Sequence, residues 1–228
     1  MNLKRIKLIV TCVFSGIIFI AKGQTGSGKD TAYISSINQR ARKIVAKLNI
    51  QDKEKQAKVQ SVVARQYFDL NDISTRRDSS IKNIKTKNLS KVAENDSIAA
   101  FHLIYGEETY QLHYAYIAKL QTLLTLEQVD EIKNGMTYGV LPLTYNGYMQ
   151  MLPNLTNEQK YQIMAWLVEA REHAIDGGTS NEKHAWFGKY KGRINNYLAK
   201  DGIDMKKAES DWISKINSNK KNTSSNHH

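Results

Sequence analysis

Apolar residues recur at steps of three and four along most of the chain, the spacing that places side chains on one face of an α-helix. The pattern predicts a first helix over residues 33–48, a second over 53–84 and a third over 91–124. Asp52 is expected to cap the second helix, and Gly106 is expected to bend the third. No stretch alternates apolar and polar residues for long enough to predict a strand.

Capping signals and glycine pairs mark the remaining helices. Thr125 and Thr156 each begin a capping box, in which the threonine oxygen accepts a backbone N–H and a glutamine three residues later reaches back. These boxes predict the starts of a fourth and a fifth helix. A glycine pair after Asp176 ends the fifth helix, and sixth and seventh helices are predicted over 181–199 and 205–216.

The sequence therefore predicts a single all-α domain over residues 31–216, a helical bundle of about six to seven helices. The polar segment 217–228 is predicted to be disordered. One long stretch, 135–155, fits no helical pattern and holds both prolines of the chain. We predict that this stretch is a long aromatic loop.

Four side chains of the predicted loop are candidate carbohydrate-binding residues. Tyrosine rings pack against the C–H face of a sugar, and amide groups bond its hydroxyls. The four residues are Tyr138, Tyr145, Asn146 and Tyr148. The alternative is that these side chains close the end of the bundle.

A second group of candidate binding residues lies on the fifth and sixth helices. Trp166, Glu169 and His173 share the face of the fifth helix opposite its apolar stripe. Trp186 and Arg193 lie on the sixth helix, and an arginine can hold the carboxylate of a uronic acid with two hydrogen bonds. We predict that the loop runs back along the fifth helix, so that both groups form one site.

Metal binding is an open alternative at the same helix. Glu169 and His173 at i,i+4, with His184 across the glycine turn, are three residues of metal-ligating type. A carboxylate-rich face opposite an apolar stripe is more often solvated. We therefore predict no metal site, and no motif predicts another cofactor.

A strip of small residues on the sixth helix also requires a reason. It consists of Ala185, Gly188, Gly192 and Ala199. Glycine inside a helix costs about 1 kcal/mol relative to alanine. We predict that another helix approaches closely at this strip; contact with a ligand is the second explanation.

Two arginines fall on apolar faces, Arg77 on the second helix and Arg171 on the fifth. A buried guanidinium without a partner is very unfavourable. Each is therefore predicted to pair with a carboxylate from another helix, and Glu108 is one candidate.

Residues 1–23 have the three parts of a secretory signal: early cations, an apolar run and small residues before a cleavage site after Gly23. Residues 24–30 are predicted to be a flexible mature N-terminus. The same region resembles a phosphate-binding loop, but Asp30 stands where the loop needs Ser or Thr to hold Mg²⁺. We predict a periplasmic or secreted protein without disulfides, because the single cysteine, Cys12, lies within the signal.

The chain is basic, with a formal net charge of +11, which falls to +7 once the four signal cations Lys4, Arg5, Lys7 and Lys22 are removed. A moderately basic exported protein suits an acidic polysaccharide or an anionic envelope surface. Nucleic acid is not expected in that compartment, and no membrane span is predicted after cleavage.

Three segments carry a resemblance to a known family: "ARQYFDLNDI" at 64–73, "YGVLP" at 138–142 and "EAREHAIDGGTSNEKHAWFGKYKGRINNYL" at 169–198. They resemble a family of exported bacterial proteins of unknown function that carries a sugar-binding label and occurs among genes for polysaccharide degradation, pectin included. The likeness covers nearly all of the mature chain. It implies a carbohydrate-binding protein for polysaccharide use, with an acidic, pectin-type glycan as the ligand.

Two other functions remain open. The segments "LTLEQ" at 124–128 and "LTNEQ" at 155–159 resemble the repeated LTxxQ signature of small helical periplasmic chaperones, although capping boxes explain both. A glycan-active enzyme is the other alternative, because carboxylates on the helix face at 169–176 could act as acid and base on a glycoside.

Overall fold

The computed structural model of the protein describes residues 28–225, with side chains described for residues 31–218. This part of the chain contains eight α-helices and no strand, which confirms the all-α prediction. In chain order the helices are α1 (Gly28–Ala46), α2 (Lys53–Lys85), α3 (Lys91–Gln121), α4 (Leu126–Met136), α5 (Val140–Met151), α6 (Asn157–Ala174), α7 (Ser180–Lys200) and α8 (Met205–Ser225).

The described part differs from the prediction at both ends. The predicted signal peptide at 1–23, with Cys12, lies outside the described residues. Helix α1 begins at Gly28, inside the segment 24–30 that we predicted to be flexible. Helix α8 continues to Ser225, past the predicted end at 216, and no proline or glycine between 217 and 225 interrupts it. None of the helices in the described range is long and apolar enough to cross a membrane.

The predicted capping residues begin the helices that they were assigned to. Asp52 Oδ1 accepts hydrogen bonds from the backbone N–H groups of Glu54 at 2.9 Å and Lys55 at 3.1 Å. Thr125 and Thr156 form complete capping boxes at α4 and α6. A third box begins α7, where Thr179 pairs reciprocally with the residue three positions later. These bonds satisfy N–H groups that have no partner inside the helix.

The predicted aromatic loop at 135–155 is wrong, because most of it is helix α5. The chain turns after α4 at Tyr138 and Gly139, both of which have positive φ. Pro142 lies in the first turn of α5, where a backbone N–H has no intrahelical partner, so the proline does not prevent the helix. Leu141 and Tyr148, two turns apart, are buried.

Two clusters of buried side chains make up the core. The first cluster is formed by helices α1, α2, α3 and α4, and the second is formed by helices α5, α6, α7 and α8. Fully enclosed side chains of the first cluster include Val45, Val59, Leu120 and Ile132. Those of the second include Ile163, Leu167, Phe187 and Ile194. The protein therefore has an N-terminal and a C-terminal half, which meet where α4 packs against α5 and α6.

Charged side chains join the two halves. Arg171 of α6 is buried, and its Nη2 lies 2.7 Å from Asp130 Oδ1 of α4. Its Nη1 donates to Asn134 Oδ1 at 3.0 Å. Beside it, Lys133 Nζ of α4 donates to Glu172 Oε2 at 2.8 Å. The prediction that Arg171 pairs with a carboxylate from another helix is confirmed.

Arg77 also pairs across helices, but not with the predicted partner. Its Nη2 donates to Glu182 Oε1 of α7 at 2.9 Å. Glu108 instead accepts from Arg76 Nη2 at 2.6 Å, so the assignment of Glu108 to Arg77 was wrong. The two arginines are neighbours on α2 and point about 100° apart, which decides which of them reaches α3. Arg77 keeps 26% of its side chain exposed and is less buried than its apolar stripe suggested.

Candidate functional site

Helices α6 and α7 form an antiparallel pair whose tight turn fixes the site. A Cβ on Gly177 would lie 3.1 Å from the backbone nitrogen of Lys183, and one on Gly178 would lie 2.8 Å from Ser74 Cβ of α2. Only glycine fits comfortably at these close approaches. At the other end of the pair, Gln159 Nε2 donates to Asp201 Oδ2 at 2.9 Å.

This pair brings five of the nine predicted ligand residues onto one surface. We call it the α6–α7 face; it consists of Trp166, Glu169 and His173 of α6 with Trp186, Lys189 and Arg193 of α7. The His173 and Trp186 rings stack with centroids 4.3 Å apart. The Arg193 guanidinium lies 4.6 Å from the Trp166 ring centroid, and its Nη1 is 3.7 Å from Glu169 Oε2. Aromatic rings and cations therefore alternate along this face.

One depression of the face is rich in positive charge, and we call it the cationic shelf. It has a volume of about 550 Å³. It is lined by Trp166, Lys189, Gly192, Arg193, Asn196, Tyr197 and Lys200. Lys189, Asn196, Tyr197 and Lys200 are not among the binding residues predicted from the sequence. The steps between residues 189, 193, 196 and 200 are those of one helix face, which is the signal that could have found three of them.

The glycines of α7 do not serve the role predicted for them. A Cβ placed on Gly188 or Gly192 would meet nothing within 4 Å. No helix of the described range therefore approaches Gly188 or Gly192, and the prediction of close helix packing at these glycines is wrong. The small-residue strip lies on the outer side of α7, opposite the face that packs on α6, so it contacts solvent. Gly192 instead leaves the backbone open at the cationic shelf.

A second depression lies where the hairpin of α2 and α3 meets the α6–α7 turn. We call it the seam cleft; its volume is about 440 Å³. His173 and Trp186 of the α6–α7 face contribute to its wall. The other side chains that line it with polar or aromatic groups are Arg77, His102, Tyr105, Thr109, Tyr110, Asp176 and Glu182. The α6–α7 face thus runs from the seam cleft at Trp186 to the cationic shelf at Trp166.

A pair of titratable groups stands at the seam cleft. His113 Nδ1 of α3 lies 2.9 Å from Asp176 Oδ2, and both side chains are largely buried. The hydrogen bond with Asp176 raises the pKa of His113, and burial opposes that shift. Asp176 Oδ1 is buried and has no hydrogen-bond partner among the described residues. The pair therefore favours a protonated His113 facing an incompletely bonded carboxylate.

Lys183 supports the turn from inside. Its Nζ donates to the carbonyl oxygens of Ile175 at 2.8 Å and Ala174 at 3.2 Å, at the C-terminal end of α6. Burial lowers the pKa of Lys183 to about 8. A cation at this helix end is stabilised by the helix dipole and satisfies carbonyls that have no intrahelical partner. Lys183 therefore has a structural role.

None of the other four predicted binding residues lines the cationic shelf or the seam cleft, so the single site that we predicted is divided. Tyr148 is buried, and its hydroxyl donates to Asn195 Oδ1 at 2.6 Å. Asn195 is two residues from Arg193 and points about 200° away around α7. Tyr138 stacks on His184 with centroids 5.5 Å apart. Tyr145 is partly buried in the C-terminal cluster and Asn146 is exposed, because α5 packs its aromatic side inward as a helix.

The three residues of metal-ligating type do not converge. His173 stacks on Trp186, and His184 stacks on Tyr138 on the other side of α7. Glu169 lies beside Arg193. Across the residues described here, no three His, Cys, Asp or Glu side chains are grouped closely enough to hold a metal ion.

Comparison with known proteins identifies a family without an assigned activity. A profile described as "Protein of unknown function (DUF3826)" matches residues 34–218, well over half of the chain. The resemblance to a family of unknown function is therefore confirmed. None of the curated proteins matches the chain.

Proposed function

We propose that this chain, which belongs to the DUF3826 family of proteins of unknown function, binds carbohydrate on its α6–α7 face. The ligand is an acidic glycan of the uronate type, and the protein acts outside the cytoplasm as a binding component of polysaccharide use. The sequence resemblance supports the carbohydrate class. The arrangement of charge on the α6–α7 face supports the acidic character of the ligand.

The composition of the cationic shelf carries this proposal. Three cations, two aromatic rings and one amide line it, and no carboxylate does. A guanidinium binds a carboxylate through two parallel hydrogen bonds, and ammonium groups add attraction without fixed geometry. The amide of Asn196 can bond sugar hydroxyls. A chain of uronic acid residues offers this combination of carboxylates, hydroxyls and apolar ring faces.

The rings of the face are held in place by their neighbours. Tyr197 meets Trp166 edge-to-face with centroids 5.3 Å apart, while Arg193 covers a side of the indole. His173 supports Trp186 by stacking. A ligand therefore meets aromatic groups that are already ordered, which reduces the entropy lost on binding.

Gly192 gives further support. Gly192 lowers the stability of α7 relative to alanine, and none of the side chains or helices that the structure describes comes close enough to require it. A glycine at this position lets a ligand approach the helix backbone between Arg193 and the shelf's other cations. Contact with a ligand, the second explanation for the small-residue strip, is therefore the one that we adopt for Gly192.

The carboxylates of the seam cleft favour binding over hydrolysis. Glu182 accepts from Arg77 and from the backbone N–H of Thr179. Asp176 shares a hydrogen bond with His113. Both oxygens of Glu182 are therefore bonded, Asp176 uses Oδ2 for His113 while its buried Oδ1 has no partner among the described residues, and neither carboxylate lines the cationic shelf. The two LTxxQ segments act as capping boxes, so they give the chaperone alternative no separate support.

The proposal is tested by calorimetric titration of a short galacturonate oligomer into wild type, Arg193→Ala and Lys191→Ala. Lys191 is the matched control, because it is an exposed cation of α7 that lines the groove between α5 and α8 on the opposite side. We expect Arg193→Ala to weaken binding by roughly 10- to 100-fold, the equivalent of one charged hydrogen-bonded contact. Equal losses of affinity in both variants would show that binding depends only on net charge. No binding by wild type would refute the proposal.

A further inference from the structure

The seam cleft takes its walls from both halves of the protein. Helices α2 and α3 form one side, and α6, the turn after it and α7 form the other. Its volume of about 440 Å³ lies within the range of ligand pockets, about 300 to 1,000 Å³. Both sides contribute aromatic groups, Tyr105 and Tyr110 from α3 and Trp186 from α7. The cleft therefore has the size and the mixed lining of a binding site, and it shares no lining residue with the cationic shelf.

The charged groups of the cleft are already paired, which distinguishes it from the cationic shelf. Arg77 is the one Lys or Arg among its described lining residues, and it lies 2.9 Å from both Glu182 Oε1 and Asp78 Oδ1. Asp176 Oδ2 lies 2.9 Å from His113 Nδ1, and Asp176 Oδ1 is enclosed by protein. A carboxylate ligand would therefore meet two acidic side chains without an uncompensated Lys or Arg, which disfavours a uronate in the cleft.

Histidine and hydroxyl groups supply the remaining hydrogen-bonding capacity of the cleft. His102 and His173 are exposed, and a neutral imidazole can both donate and accept. Thr109 Oγ1 donates to the Tyr105 carbonyl oxygen at 2.8 Å, so its lone pairs remain able to accept. The Tyr110 side chain is 55% exposed, and its hydroxyl can donate or accept. Sugar hydroxyls also donate and accept, and sugar rings pack on aromatic side chains, so this lining suits a neutral sugar.

Gly106 lies in the middle of the α3 wall. It follows His102 by four residues and precedes Thr109 by three, so the three share one face of the helix. Helix α3 continues on both sides of Gly106, and a Cβ placed there would meet nothing within 4 Å. Glycine destabilises a helix interior relative to alanine, and none of the neighbours that the structure describes requires it here. Gly106 therefore keeps the helix backbone open to an occupant of the cleft, as Gly192 does at the cationic shelf.

We propose that the seam cleft binds a neutral sugar unit of the same glycan whose uronate units bind the cationic shelf. This inference rests on the proposed function and extends it, because the ligand becomes a mixed chain of neutral and acidic sugars. Trp186 and Arg193 are seven residues apart on α7, so they lie on the same side of the helix, about 10 Å apart along it. A chain of a few sugar units along the α6–α7 face can therefore reach the cleft and the shelf together.

Titration calorimetry with two oligomers of equal length tests the inference. One contains galacturonate alone, and in the other galacturonate alternates with the neutral sugar rhamnose. Gly106→Leu fills the cleft, and His102→Ala removes an exposed side chain from the same wall. The matched control is Gly188→Leu, because a Cβ on Gly188 also meets nothing within 4 Å and Gly188 lines neither the cleft nor the shelf. Circular dichroism checks that each variant keeps its helices.

We expect the cleft variants to affect only the alternating oligomer. Gly106→Leu should weaken its binding at least about 10-fold, and His102→Ala should weaken it roughly 3- to 10-fold, the equivalent of one hydrogen bond. Neither should change binding of the galacturonate oligomer by more than about twofold, because the carboxylates bind at the shelf. Gly188→Leu should leave both affinities unchanged, and Arg193→Ala should weaken both, since each oligomer carries uronate units.

The proposed function and the seam-cleft site would be contradicted by different results. No binding of the galacturonate oligomer by wild type would refute the proposed function and the inference that rests on it. Binding of that oligomer that depends on Arg193, with the alternating oligomer unaffected by Gly106→Leu and His102→Ala, would overturn the seam-cleft site alone. Equal losses for the two oligomers in Gly106→Leu would also overturn it, because the cleft would then accept uronate as readily as a neutral sugar.

Discussion

At the scale of single residues, charges inside apolar patterns show what a sequence can specify. The helical pattern places Arg171 on a buried face, and the structure confirms a carboxylate partner on another helix. The pattern also places Arg77 on such a face, yet Arg77 remains partly exposed. Helical periodicity gives the direction of a side chain but not how far its neighbours extend over it. The identity of the partner depends on helix packing, which one-dimensional spacing does not contain.

Arg171→Ala should destabilise the protein far more than Arg77→Ala. Arg171 is buried and bonds Asp130, Asn134 and Glu172, so its loss removes several charged hydrogen bonds and leaves a cavity. We expect a loss of about 3 kcal/mol for Arg171→Ala and about 1 kcal/mol or less for Arg77→Ala. Urea unfolding followed by circular dichroism measures both. Equal losses of unfolding free energy would show that the difference in burial between Arg171 and Arg77 does not affect how much each stabilises the protein.

The His113–Asp176 pair should make stability depend on pH. The folded pKa of His113 is raised, so the folded state binds its proton more tightly than the unfolded chain. The resulting stabilisation is complete below the ordinary histidine value of 6.5 and is lost as pH rises through the raised value. Glu172 adds to the shift, and Lys133 opposes it.

We therefore expect the stability advantage of wild type over His113→Gln to be larger at about pH 5.5 than at about pH 8.5. Asp176→Asn removes the carboxylate partner and should show the same pH trend. Unfolding free energies from urea titrations at both pH values measure the trend. An advantage that grows with pH would show that a neutral His113 is the stabilised form.

At the scale of elements, helices with end signals were predicted well and the helix without them was missed. Helices α4 and α6 begin at the predicted capping boxes. Helix α5 has no side-chain cap and follows a turn with positive φ at Gly139. Its one proline and one glycine, Pro142 and Gly147, are typical of a loop, and packing against α4, α6 and α8 overrides that preference. Because of this error, four residues of the predicted loop were assigned to a single site that the structure divides.

The two exposed glycines of α7 allow a paired test. Gly188→Ala and Gly192→Ala should each raise the free energy of unfolding by up to about 1 kcal/mol, because alanine favours the helix and neither Cβ meets a neighbour. Only Gly192 lines the cationic shelf. We expect Gly192→Ala alone to weaken binding of a galacturonate oligomer, measured by titration calorimetry. Equal affinities for both variants would remove Gly192 from the binding surface.

At the scale of the whole molecule, the sequence predicted the all-α class but not the arrangement of the helices. The protein has two apolar clusters, and ion pairs hold the two halves together. The seam cleft lies where the α2–α3 hairpin meets α6 and α7. Tyr105 and His102 of α3 line that cleft although about seventy positions separate them from His173 along the chain. Such distant residues meet through tertiary packing, and no local spacing indicates it. Trp166, Arg193 and their neighbours were found because they share the faces of two adjacent helices.

The measurement that tests the central claim most directly compares two ligands with the same sugar backbone, one with ionised carboxylates and one with neutral methyl esters. A short galacturonate oligomer and its fully methyl-esterified form are titrated separately into the wild-type protein at low salt. The cationic shelf should bind the charged oligomer at least about 10-fold more tightly, with a preference that declines as salt screens the carboxylates. Equal affinity for both forms, tighter binding of the ester, or no binding of either would contradict an acidic-glycan site on the α6–α7 face.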